Sequence, residues 1–396
     1  MPADLATLAA TRHEELVAFR RDLHAHPELG RQEHRTTERV GARLEAAGLQ
    51  PRRLAVGTGL VCDVGGGPGP TVALRADLDA LPLVDETGSG HRSTVRGVCH
   101  ACGHDVHTTV LLGAGVVLAG IAERLQGTVR LLFQPAEELT PGGALDVIRE
   151  GHLAGVGSIL GLHCDPRLAA GLVGMRAGPI TAAADLMEIR LCGPGGHTAR
   201  PHLSADVVHA AGRLISDLPA TLSRLVDPRA GLSVVFGAVH AGEAANVMPR
   251  LASLRATVRV LDVDTWRSLP ELMPRLVEAS VASLGVEVEV DYSHGVPPVD
   301  NDPLVTAWWR TALEAELGTA AVVDTPQSLG GEDFGWYLDQ VPGSFLRLGV
   351  GGPGCEADLH SGTFDVDEAA IGVGVRTLVT GALQGLAELG EPPARR

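Results

Sequence analysis

Between His100 and Asp105 the chain reads HACGHD, with His107 just beyond. Thiolate and neutral imidazole are borderline ligands that suit zinc. A Cys102/His104 pair, two residues apart where a loop enters a helix, can converge on one ion. A helix cap with incidental histidines is the competing reading of this segment. Further on, FQPAEE ends an apolar run with Glu137 and Glu138 side by side. Adjacent side chains point in different directions, so one carboxylate can hold a metal while the other faces a substrate. Metal-assisted hydrolysis needs that division between a Lewis-acid site and a separate general base. An acidic turn would look the same. His163 in GLHCDP and His360 in DLHSGTF follow apolar runs, where a lone histidine is more often a satisfied structural group than a ligand. His197 lies in GPGGHTARPH, which reads either as a tight turn or as a loop bringing backbone and imidazole close to a ligand. Asn246 and Arg259 could hold a carboxylate, the arginine through a bidentate fork; taken singly they are ordinary surface or sheet residues.

Positioning these groups falls to alternating helices and strands. Residues 4–26 and 36–47 read as helices, GLVCDVGG and TVALRADLDAL as strands, 105–124 as an apolar helix, and TVRLLFQPAEE as a strand entering a turn. A helix over 142–151 and the strand SILGLHCDP follow. The alternation predicts a doubly wound α/β domain, whose ligand sites lie at the carboxyl ends of strands, where the polar clusters fall. From about Leu186 the texture becomes β-α-β-β-α-β, with helices near 204–217 and over 264–284. That order predicts a small ferredoxin-like α+β sandwich inserted into the larger domain. The expected division is 1–185 and 294–396 for the α/β domain and 186–293 for the insert.

Bulk properties narrow the chemistry. All 32 basic residues are arginine, so a lysine Schiff base, a P-loop lysine and a carbamylated-lysine metal bridge are excluded. A composition 45% apolar and 20% charged is that of a globular protein rather than a disordered one. The net charge of -16 argues against nucleic-acid or anionic-membrane partners. No secretory signal is visible at the N-terminus, and the apolar run Val110–Ala122 falls short of the roughly 20 residues that span a bilayer. Six cysteines at 62, 99, 102, 164, 192 and 355 read as cytosolic thiols rather than a disulfide framework. A cytoplasmic enzyme is expected.

The motifs RRDLHAHPELG, ALRADLDALP, HACGHDVHTT, FQPAEE, GLHCDP, GPGGHTARPH, NVMP, GGEDF and LHSGTFDVDE occur in that order over nearly the whole chain. The series resembles the amidohydrolase branch of the aminoacylase and carboxypeptidase metallopeptidase family, which includes hippurate hydrolases, N-acetyldiaminopimelate deacetylases and plant auxin-conjugate hydrolases. The resemblance implies a zinc-exopeptidase-like catalytic domain with an inserted dimerisation, or lid, domain. It also implies two divalent ions per subunit held by Cys102, His104, Glu138, His163 and His360: zinc or manganese first, cobalt or nickel next. Glu137 would be the general base, His197 of a homodimer partner would stabilise the oxyanion, and Asn246 and Arg259 would contact the substrate carboxylate. Asp77 and Asp79 stand where the wider family has a His-x-Asp motif, and they are expected to support the ligands rather than to bind metal. The implied reaction removes an N-acyl group from a small N-acyl amino acid. A dipeptidase or carboxypeptidase of the same family is the alternative. Cys99 stands where an apolar residue is usual and creates a C-x-x-C, so oxidation to a Cys99–Cys102 disulfide, removing a ligand, is a further alternative. Gly362, where proline is common, affects nothing catalytic.

Overall fold

A computed structural model describes residues 11–390. Two compact units emerge: among the described residues, one takes in 11–178, Asn301–Pro326 and 333–390, the other Pro179–Asp300 with Gln327–Glu332.

In the first unit, α1 (His13–Ala25) buries Leu16, Phe19 and Leu23, the i, i+3, i+7 stripe of an amphipathic helix. Residues 4–10 of the helix expected from the sequence lie outside the described residues. Then come α2 (His34–Ala46), β1 (Arg52–Arg53), β2 (Leu60–Gly65) and β3 (Thr71–Asp77). The apolar helix α3 (His104–Ala119) is buried nearly all round and ends before the expected residue 124. After it run β4 (Thr128–Gln134), α4 (Ala144–Arg149), β5 (Val156–Ala169) and β6 (Val173–Met175).

The second unit follows: β7 (Gly178–Thr181), β8 (Ala184–Cys192), β9 (Gly196–His197), α5 (Val207–Leu225), β10 (Ser233–Ala241), β11 (Val247–Met248), β12 (Leu251–Arg259), α6 (Val263–Val281), β13 (Glu287–Val296) and β14 (Val299–Asn301). The strand order β10-β12-β8-β13 is that of a ferredoxin-like sandwich, and β7 pairs with β14. On β8 and β12 alternate residues are buried (Met187, Ile189, Leu191; Ala252, Leu254, Ala256), the period-2 signature of a sheet with one covered face. The helices bury Leu214, Leu218 and Leu222, and Trp266, Leu269 and Met273. Each starts at an aspartate: Asp206 accepts from the amides of Val208 and His209, and Asp262 from that of Thr265.

The first unit is completed by α7 (Pro303–Leu317), β15 (Val322–Asp324), α8 (Gly335–Leu338), β16 (Gly343–Gly351) and α9 (Ala369–Gly390). Its sheet has the order β1-β2-β4-β3-β5-β16-β6-β15. The central strands β4, β3, β5 and β16 are parallel, with antiparallel pairings on either side. By length and composition α9 could cross a membrane, although Arg376 interrupts its apolar run. It is instead a core helix: Ile371, Val375 and Leu378 are buried, and Arg376 donates to Glu316 at 2.8 Å. The carboxyl ends of β3 and β4 share an edge of the sheet with the middle of β5. Asp77 pairs with Gln134, and the Arg75–Gly161 pairing puts His163 level with Asp77.

Candidate metal centre

Everything that converges here belongs to the first unit. Cys102 closes the loop before α3 and His104 opens that helix, with Gly103 between them in the left-handed region at φ 87°. A Cβ at Gly103 would also stand 2.8 Å from Cys164 Sγ, so conformation and space both require glycine. Glu137 and Glu138 follow β4, and His163 lies inside β5, which runs on past the expected strand end. His360, itself at φ 61°, donates its amide to the Ala101 carbonyl at 2.7 Å, which fastens its loop to the cysteine loop.

Cys102 Sγ stands 3.4 Å from His163 Nε2 and 3.3 Å from His360 Nε2, and Glu138 Oε1 is 3.4 Å from His360 Nε2. The donor atoms of Cys102, His104 and His163 lie within 4.8 Å of one another, as do those of Cys102, Glu138 and His360, and of His104, Glu137 and Glu138. His104 Nε2 and Glu138 Oε1 are buried without a hydrogen-bond partner, which polar atoms tolerate only when something else satisfies them. Burial pushes the Cys102 thiol well above its usual range and holds His163 well below its own, with His107 and Arg347 adding to the second effect. A neutral imidazole is the ligating form, and a divalent cation is what ionises a buried thiol. The donor set fits one or two such ions.

Behind these donors stands a layer of carboxylates. Asp79 accepts the Glu137 amide on Oδ1 and the Glu138 amide on Oδ2, both at 3.0 Å, and its Oδ1 is 3.4 Å from His104 Nδ1. Burial would lower the His104 pKa, but Asp77 and Asp79 outweigh it and hold it well above the ordinary value. Asp77 Oδ1 is 2.6 Å from His107 Nδ1, and Asp77 Oδ2 accepts from Arg75 at 2.7 Å. His107 Nε2 accepts the Cys164 amide at 2.8 Å, which fixes the proton on Nδ1 and leaves no lone pair for an ion. His107 therefore ties the ligand helix to the strand of His163 instead of binding metal. His100 is buried, its pKa lowered to about 4 by that burial, and it falls in no donor group among the described residues.

Sequence reasoning left several of these supports without a role. Arg75 of ALRADLDALP also donates to Gln134 of FQPAEE at 2.9 Å and to Asp333 of GGEDF at 2.7 Å. Gln134 in turn donates to Asp333 at 2.6 Å and accepts from Tyr337 at 2.9 Å. Arg20 of the first motif donates to Asp105 at 2.7 Å, and His24 lies 2.9 Å from the same oxygen. Burial alone would lower the His24 pKa, but hydrogen bonds to Asp105 and Asp85 push it up to about 9. A histidine raised from about 6.5 contributes stability fully below that pH and loses it as pH rises through about 9. Urea unfolding at pH 6 and pH 9.5 is expected to show a loss on the order of 3 kcal/mol that His24→Gln flattens. Parallel pH dependence in the two proteins would refute this. Cys99 is a core thiol pushed up to about 11 by burial, the opposite of a reactive cysteine, and all six cysteines are unpaired.

Three residues expected at the site lie in the second unit. His197 is exposed on β9, opposite Val247 of β11, and the Thr198 amide donates to the Asn246 carbonyl at 3.3 Å, so His197 and Asn246 are neighbours. Arg259 ends β12 opposite Ser233, half-buried, and burial lowers its pKa.

A thiol, three imidazoles and two carboxylates gathered at the edge of a mixed α/β sheet, one carboxylate in excess of a ligand set, define the class: a metal-dependent hydrolase. Residues 73–384 match the model of Peptidase family M20/M25/M40, and the chain belongs to that family of metal-dependent amidohydrolases and peptidases. A Rhodococcus jostii (strain RHA1) protein carrying a glutamate–cysteine ligase name is 48% identical over 380 residues, 95% of this chain, but the chain spans only 48% of that relative. The N-acetyl-L-cysteine deacetylase of Bacillus subtilis (strain 168) is 38% identical over 371 residues, covering 93% of this chain and 87% of the relative. The crystal structure of the YXEP protein of Bacillus subtilis, described as a dinuclear metal binding peptidase from the M20 family, superposes with a TM-score of 0.84 at 35% identity, over 96% of this chain and 99% of that one.

Proposed function

We propose that this chain removes the N-acyl group from N-acyl amino acids, acting as a cytoplasmic homodimer with the second unit as lid and dimerisation domain. The observation that carries the reading is the pair Glu137 and Glu138: their amides share one buried carboxylate, Asp79, while Glu138 stands against His360 and Glu137 Oε2 lies 3.9 Å from His104 Nε2. Cys102, His104, Glu138, His163 and His360 would hold two divalent ions, zinc or manganese in first place. When bound, such ions supply Lewis acidity to an amide carbonyl and make water more acidic. Glu137 takes the proton of the attacking water on its carboxylate and returns it to the leaving amine nitrogen. Asp79 keeps His104 in one orientation and the glutamate turn in register. His197 of the partner subunit would donate to the oxyanion, and Asn246 and Arg259 would grip the substrate carboxylate.

A hydrolysis screen of metal-depleted protein, reconstituted with zinc, manganese, cobalt or nickel in turn, tests the reading. N-acetyl and N-benzoyl amino acids, with N-acetylcysteine tried first because a relative carries that name, are expected to be cleaved only after an ion is restored. Faster cleavage of dipeptides than of every acyl amino acid would replace this reading with a dipeptidase, and full activity without an ion would end it.

A further inference from the structure

The stretch Leu29–Glu33, which continues the first sequence motif, takes no part in the chemistry described so far. It lies under the turn that carries Glu137 and Glu138. Glu33 is fully buried, and its Oε1 accepts the Ala136 amide at 2.7 Å. Ala136 is one of three non-glycine residues with positive φ among the described residues, at 56°. Its own carbonyl accepts the Gly143 amide at 3.0 Å, and the next two amides, of Glu137 and Glu138, go to Asp79. Two buried carboxylates thus receive three consecutive amides.

The floor beneath the turn is built to approach it closely. A Cβ at Gly30 would stand 2.9 Å from Leu139 Cδ1 and 3.2 Å from the Ala136 Cα. Leu29 bridges Ala80, and the Ala80 amide donates to the Glu28 carbonyl at 2.8 Å, so the floor is tied to the segment that carries Asp79. Glu33 also opens α2, where the amide and hydroxyl of Thr37 donate to its carbonyl at 3.0 and 2.6 Å. Placing a carboxylate in this interior, beside the like charge of Asp79, is unfavourable. An apolar side chain would fill the space at less cost, so the requirement is for a hydrogen-bond acceptor at that point.

We infer that Glu33 is a positioning residue for catalysis: by holding the Ala136 amide it keeps Ala136 left-handed, and that conformation aims Glu138 at the donor cluster and Glu137 beside it. Left to its preference, an alanine relaxes to negative φ, which would swing the following peptide off Asp79 and turn both glutamates. The inference rests on the proposed roles of Glu137 and Glu138.

The test compares Glu33→Ala, Glu33→Gln and the double variant Glu33→Ala/Ala136→Gly in the full chain. It reads kcat and KM separately, along with cobalt titrated into metal-depleted protein and followed by its thiolate absorption bands. Glu33→Ala is expected to lower kcat at least tenfold, about 1.4 kcal/mol, with KM within about threefold. It should also weaken cobalt binding about tenfold and shift the bands. Glu33→Gln, whose amide oxygen still accepts, should stay within about threefold of wild type throughout. The double variant should recover part of both losses, because glycine adopts the left-handed region freely. A folded Glu33→Ala with wild-type kcat and cobalt binding overturns the inference, as does Glu33→Gln falling as far as Glu33→Ala. If Glu33→Ala does not fold, the double variant is read in its place, and its failure to fold or to bind cobalt also overturns the inference. Wild-type protein that cleaves no acyl amino acid would end the proposed function, while the cobalt readout would still judge Glu33.

Discussion

Glu137→Gln is expected to lower kcat for acyl amino acid hydrolysis by about 10²–10⁴-fold, the usual contribution of a positioned general base, while KM and bound metal stay near wild type. The substitution is nearly isosteric. The Glu137 backbone is held from outside the side chain, by Asp79 at 3.0 Å, so the turn should survive it. Only the capacity to take a proton is removed. Glu138 cannot substitute, because its carboxylate faces His360. Steady-state kinetics with metal content measured on the same sample decide the matter. A Glu137→Gln enzyme at full activity would refute the mechanism, and one that has lost its metal would show Glu137 to be a ligand.

The second large effect is on stability. Arg75→Met is expected to cost about 3–5 kcal/mol, because it leaves Asp77 and Asp333 as buried carboxylates without their shared cation. Arg75 donates to Gln134, Asp77 and Asp333 through three different nitrogens, all within the interior. Lysine has one point of charge and no fork, so Arg75→Lys should recover little. A lysine-free chain thus suits its buried sites, of which Arg75 and Arg20 are the clearest. By contrast, removing the exposed pair Arg213–Asp217 should cost no more than about 1 kcal/mol. Urea unfolding measures each, followed by a probe in the first unit for Arg75→Met and by a probe in the second unit for the Arg213–Asp217 pair. A loss below about 1 kcal/mol for Arg75→Met would mean that water or a neighbouring group takes over its role.

Asp77 carries the same logic into the site. Burial would raise its pKa, but His104, His107 and Arg75 hold it well below the carboxylate range. Its charge is therefore a permanent part of the support behind His104, and losing Arg75 is expected to disturb the metal site as well as the fold.

Much of this was legible in the chain because it is local. Cys102 and His104 are two residues apart, Glu137 and Glu138 adjacent, and period-2 and period-3.6 apolar patterns place strands and helices in the right order on both units. Local spacing has a physical meaning that survives without tertiary context: side chains that close share one loop and reach one point. Where a pattern was silent, packing was the reason. Only the core shows that the long apolar helix α9 is buried, and only the contacts show that both nitrogens of the metal-competent His107 are spent.

What the sequence determined by itself was the kind of chemistry: which side chains could bind an ion, which could move a proton, and which chemistries an all-arginine chain excludes. Only the tertiary structure decided which residues hold those groups in place. Arg75 meets Asp333 across 258 residues, and Glu33 meets Ala136 across 103. Such pairings have no signature in spacing, since a buried charge is satisfied by whichever partner the sheet order and loop path bring to it.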